Sequence, residues 1–199
     1  TDIPAGNARS TYVRHINDHT ESSGHMHFLL PSLSANDYIE IYVKSFDSAT
    51  ENSVKIGTAT LFLEKIATSR TIFSATGTRL VSGNDLNPDT ASSMQWTQEV
   101  ADSGFTHSNS SNSHNITLAN AGSYLVFVNV PLSNNRARAS PQLIPKIDGV
   151  QVSGGFAAQG YVRNADATSK SSVHWVGLIQ TASANKILTF DLSKRAASG

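Results

Sequence analysis

The tripeptide Tyr12-Val13-Arg14 returns as Tyr161-Val162-Arg163, 149 residues further along the chain. With that offset held and no gap, Ser22-Ser23 falls on Ser171-Ser172, His25 on His174, Leu29 on Leu178, and Ser34-Ala35-Asn36 on Ser183-Ala184-Asn185. The apolar pattern continues past the identities, with Ile39, Ile41 and Val43 falling on Leu188, Phe190 and Leu192. A fixed-offset match of this length is the mark of a repeated structural unit, and it constrains the fold before any single element is considered. The copies are out of phase with the chain. The second is preceded by residues 66–160, for which the first has no counterpart. The sequence therefore predicts two domains: residues 1–66 as the C-terminal part of a first module, and residues 67–199 as a second module. The missing part of the first module is expected either in further sequence of a longer protein or in strands of a neighbouring chain.

Strand signals dominate. Tyr38–Val43, Thr58–Leu63, Ser123–Val130, Leu143–Ile147, Val173–Ile179 and Ile187–Leu192 are short β-rich runs with period-2 alternation. Turn clusters such as Ser82-Gly83-Asn84-Asp85, Ser133-Asn134-Asn135 and Asp148-Gly149 separate them. No stretch holds a helical period over two turns. The expected fold is all-β, an antiparallel β-sandwich or jelly roll. In Ile187–Leu192, Leu188, Phe190 and Leu192 share one face and Thr189 and Asp191 the other, which predicts one buried side. In Tyr124–Val130 both faces are apolar, with Leu125 and Phe127 opposite Tyr124, Val126, Val128 and Val130. A strand of that kind is expected to be covered on both sides, which in a two-layer sandwich calls for another subunit or module.

Along residues 96–192 the order of features resembles the C1q/TNF-like jelly roll. The matching pieces are Trp96, Phe105, the Asn115-Ile116-Thr117-Leu118 strand, Ala121-Gly122-Ser123-Tyr124-Leu125-Val126, and the turn Ile147-Asp148-Gly149. Val173–Ile179 followed by Ala184-Asn185-Lys186-Ile187 is similar to that family's late hairpin, with Ala-Asn where the family usually has Gly-Asp. The resemblance implies a ten-strand jelly roll that forms a homotrimer, with recognition or scaffolding roles and no catalysis. The tandem copies and the Ser/Asn/Ala-rich texture are similar to virion surface proteins of tailed phages from aquatic bacteria. That likeness implies a capsid-decoration or fibre component at a virion surface or elsewhere outside the cell, with other virion or surface proteins as partners. A secreted or cell-surface C1q-like module for adhesion or carbohydrate binding is the alternative.

Composition removes several other classes. Fifteen Lys+Arg balance fifteen Asp+Glu, so no basic field exists for nucleic acid. Charged residues are 15% of the chain, against an average of about 25%. With no Cys, neither disulfides nor thiolate metal sites contribute. No apolar run approaches the roughly 18 residues of a helical membrane span.

The chemistry-bearing candidates are few. His25 and His27 point to one strand face while Met26 and Phe28 point to the other. Repeated about a threefold axis, the pair would present six imidazole nitrogens, a set suited to an octahedral transition metal. A pair of exposed strand histidines is the plainer reading. No Ser sits in a Gly-x-Ser-x-Gly turn, and Glu40, Glu64 and Glu99 have no spacing that marks a carboxylate couple. No cofactor is expected beyond that metal. Arg136 and Arg138 read as a solvated loop tip, and Asn109-Ser110-Ser111 and Asn115-Ile116-Thr117 fit the glycosylation pattern within an Asn/Ser-rich loop. Glycans could stack on Trp96, Trp175 or the tyrosines, although Trp175 aligns with Met26 on the inward face.

Overall fold

The computed structural model describes residues 30, 33–41, 61, 63, 65, 70–85, 87–133, 139–152, 158–159 and 170–194. Every regular element among them is a strand, and every pairing is antiparallel. In chain order these are β1 (Phe73–Leu80), β2 (Ser92–Ala101), β3 (Phe105–Thr106), β4 (Ile116–Leu118) and β5 (Gly122–Ser133). They continue as β6 (Pro141–Ile147), β7 (Val150–Gln151), β8 (Ala158–Gln159), β9 (Lys170–Thr181) and β10 (Lys186–Lys194).

The pairings nest. β2 pairs with β10, β5 with β9, and β6 with β8, each pair enclosed in sequence by the one before. Nested antiparallel pairs that alternate between two sheets are what a long hairpin produces when it wraps around a barrel axis, the jelly-roll construction. Here β2, β10, β6 and β8 belong to one sheet, with β1 beside β2 and with β4 and β3 beside the start of β10. β5 and β9 form the other, in unbroken register from Gly122↔Thr181 to Ser133↔Lys170. The expected fold class therefore holds for the described residues between 71 and 194.

The core lies between these sheets. Met94 and Trp96 of β2, Leu143 of β6 and Leu188, Phe190 and Leu192 of β10 meet Val128, Val130 and Leu132 of β5 and Val173, Trp175 and Ile179 of β9. Phe190 joins the layers, its ring edge-on to Trp96 at 5.7 Å and to Trp175 at 6.2 Å between centroids. The Trp175 indole lies along its own strand over Gly177. A Cβ on Gly177 would stand 2.3 Å from Trp175 Cζ2, so no larger residue fits there without moving the ring. The Asp148-Gly149 turn has φ of 49° and 80° and joins Ile147 to Val150, the two-residue geometry that an Asp-Gly pair favours.

Three expectations need correction. β10 is buried on both sides: Thr189, Asp191 and Ser193 are buried like the apolar residues with which they alternate. Its outward Asp191 is held by the Lys146 ammonium and by the Ser93 hydroxyl, which donates to it. Polar side chains with partners can fill a covered face, so alternation alone does not reveal exposure. Second, the segments equivalent to the family's late hairpin do not pair with each other, since β9 and β10 lie in different sheets. Third, Tyr38–Ile41 forms no strand and its apolar side chains are exposed. The remainder of the expected Tyr38–Val43 strand, and all of Thr58–Leu63 except Leu61 and Leu63, lie outside the described residues. Residues Leu30–Arg70 form a unit of their own.

Candidate functional site

The surface that stands apart is the outer face of β5 and β9. A strand sends alternate side chains to opposite faces. On β5 that sends Tyr124, Val126, Val128, Val130 and Leu132 toward the core and Leu125 and Phe127 outward. On β9 it sends Val173, Trp175 and Ile179 inward and Val176 and Leu178 outward. The register places Leu125 directly opposite Leu178, and Phe127 opposite Val176. Two adjacent cross-strand pairs thus form one apolar block. These four are 59% (Leu125), 48% (Phe127), 51% (Val176) and 59% (Leu178) exposed. Four half-exposed side chains of this size present on the order of 400 Å², the size at which a contiguous apolar patch signals a binding surface.

The rows bounding the block are polar and carry no Asp, Glu, Lys or Arg. Ser123 stands opposite Gln180 at one end and Asn129 opposite His174 at the other, with Pro131 and Ser172 beyond. His174 Nε2 lies 3.0 Å from the Ser172 hydroxyl. This face follows from the doubly apolar reading of Tyr124–Val130, which expects its cover from another subunit or module. In a single chain Leu125 and Phe127 are each about half exposed. The sequence reading missed the contribution of β9, although Val176 and Leu178 carry the same signal: apolar residues at consecutive outward positions of a strand whose inward positions are apolar as well.

The ends of the sandwich are held by exposed ion pairs. Asp148 in the β6–β7 turn accepts from Ile187 N–H at 2.9 Å and from Lys186 Nζ at 2.7 Å, tying that hairpin to the start of β10. The Ile187 amide first, and then the Lys186 ammonium, hold the Asp148 carboxyl below the usual carboxylate range. Asp89 is lowered by Lys194, 2.8 Å away at the end of β10.

The other candidates are scattered. His25, His27, Glu64, Arg136 and Arg138 lie outside the described residues. Among the described residues, no three His, Asp or Glu side chains cluster as metal ligands. Glu99 is exposed on β2 and accepts from Ser74 and Thr76 of β1. Glu40 belongs to the separate unit of residues 30–70. Both tryptophans are core residues. Asn109 is exposed, and its side-chain oxygen accepts from Gln98 N–H at 2.7 Å. No described helix is long and apolar enough to cross a membrane.

The strand pairing and this face together define a jelly-roll module with a half-exposed apolar block on one sheet surface. No protein-family model matches the chain, and no curated protein matches it. Among solved structures it is similar to murine APRIL. The crystal structure at pH 8.0 aligns with a TM-score of 0.42 and 9% identity, over 62% of this chain and 84% of that one. The structure at pH 8.5 aligns with a TM-score of 0.43 and 10% identity, over 62% and 84%. The structure at pH 5.0 gives 0.42 and 10%, over 63% and 85%.

Proposed function

We propose that this chain is a non-catalytic structural protein of an extracellular assembly, and that it works by associating with copies of itself through the outer face of β5 and β9. The observation that carries the reading is the half-exposed set Leu125, Val176 and Leu178, bounded along the strands by the rows Ser123–Gln180 and Asn129–His174, which hold no Asp, Glu, Lys or Arg. Like charges in those rows would oppose a second identical face, and the rows hold none. The chain's formal net charge is zero, so no long-range repulsion acts between copies either. Edge pairing is a poorer route, because β1 departs twice from regular register against β2. Bulged edges resist the addition of a further strand.

The threefold arrangement implied by the family resemblance, and a place on a virion surface, belong to this proposal. The carbohydrate-binding alternative is the weaker one. It needs a cluster of exposed indole or phenol rings; both indoles are committed to the core, and the exposed phenol of Tyr38 belongs to the separate unit Leu30–Arg70.

Because the chain has no Cys, a single introduced thiol reports on one position. In Leu178→Cys, reaction with a maleimide should slow at least tenfold as protein concentration rises from nanomolar to tens of micromolar. In Val150→Cys, on the exposed β6–β7 hairpin, the rate should not change. Concentration-independent labelling at position 178 would overturn the proposal.

A further inference from the structure

The fold treats the two tripeptides of the N-glycosylation pattern, Asn109-Ser110-Ser111 and Asn115-Ile116-Thr117, in opposite ways. The second is built into a sheet. Asn115 N–H donates to Asn112 O at 2.8 Å, and its side chain is half-buried at the root of β4. Ile116 is a core residue. Thr117 is paired on both edges, with Ile187 of β10 and with Thr106 of β3. The first tripeptide lies in the open. Ser108, Asn109, Ser110, Ser111 and Asn112 are all exposed, in the connection between β3 and β4. That connection runs along β2: Trp96 N–H donates to Ser113 O at 2.9 Å, and Gln98 N–H donates to Asn109 Oδ1 at 2.7 Å. Asn109 thus spends only the oxygen of its carboxamide on the fold. Its nitrogen, the atom that an N-linked glycan takes, makes no hydrogen bond among the described residues.

We propose that Asn109 is an N-glycan acceptor site and that Asn115 is not. In the transfer, Asn109 Nδ2 forms a bond to the anomeric carbon of an oligosaccharide carried on a lipid pyrophosphate. The bond from that carbon to the pyrophosphate oxygen breaks, and the lipid pyrophosphate leaves with the electron pair. One Nδ2 proton passes to a base of the transferase. Oδ1 takes no part, so the tie to Gln98 survives in the product and holds the root of the glycan beside β2. Ser111 supplies the hydroxyl that the acceptor pattern places two residues on; its N–H is held by Ser108 Oγ at 3.1 Å. A glycan is bulky and strongly hydrated, and a surface loop is where a fold accommodates one. β2 and the apolar β5–β9 block belong to different sheets. The modification is therefore separate from the proposed self-association, and neither depends on the other.

Secretion of the full chain from a eukaryotic host tests the site. The readout is intact mass before and after an amidase that releases N-glycans and leaves Asp where each was attached. The parent chain should carry a single glycan, and peptide mapping after release should find Asp at position 109. Ser111→Ala breaks the acceptor pattern but keeps the Asn109–Gln98 tie, and it should lower the modified fraction at least tenfold. Asn115→Gln should leave that fraction unchanged. An unmodified parent chain, or a glycan that persists in Ser111→Ala, overturns the proposal. The β5–β9 reading is scored separately, by labelling at position 178.

Discussion

Two residues carry more of the structure than their size suggests. Gly177 leaves the space into which the Trp175 indole folds, and that indole packs against Phe190 across the sandwich. Gly177→Ala should destabilise the module by about 1–3 kcal/mol through overpacking, measured by urea unfolding, with tryptophan emission shifted to the red. An unchanged midpoint would mean that the ring has room to move. Asp191 is the second case. It is 5% exposed, between Lys146 and Ser93. Asp191→Ala leaves the partly buried Lys146 without its counter-charge. It should cost about 2 kcal/mol, at the low end for broken buried pairs because a quarter of the lysine side chain still reaches water.

At the scale of elements, the β6–β7 hairpin is anchored by a carboxylate whose acidity folding has changed. Its sign fixes the pH dependence. With the folded pKa of Asp148 depressed by the Ile187 amide and Lys186, the group's contribution to stability is fully present above its unfolded value near 3.8, and is lost as pH falls through the lower folded value. Asp89, lowered by Lys194, acts in the same direction. Asp148→Asn should therefore shallow the fall in melting temperature below about pH 4 and leave the slope at pH 6–8 as it was. A steeper acid fall in the variant would contradict the assignment.

Much of this level was legible in the sequence. Asp148-Gly149 announced its turn because few other pairs accept two positive φ values. Trp175 was placed inward by its alignment with Met26. β1 and β2 were not read as strands, although Met94 and Trp96 do alternate inward. Short polar residues dilute that pattern. The cover of outward faces was less legible: β10, expected to bury one side, buries both. Periodicity says which residues share a face; what covers that face is decided by neighbouring strands that are distant in sequence.

At the scale of the whole molecule, the repeat and the apolar β5–β9 face lead to one account. Under the proposed reading, a chain of zero formal net charge with half-exposed Leu125, Val176 and Leu178 on one sheet face is completed by its neighbours. Because the β5–β9 contact is apolar, its strength should change less than twofold between about 0.05 and 0.5 M salt, whereas an ion-paired contact weakens over that range.

The central claim is self-association through β5 and β9, and sedimentation equilibrium tests it most directly. The chain should sediment as an oligomer at micromolar concentration, with three copies expected. Leu125→Asp and Leu178→Asp should each shift it to smaller species while keeping the near-ultraviolet circular dichroism of the folded core, because both side chains point away from that core. A chain that remains monomeric throughout, or variants whose mass matches the parent, would contradict the account.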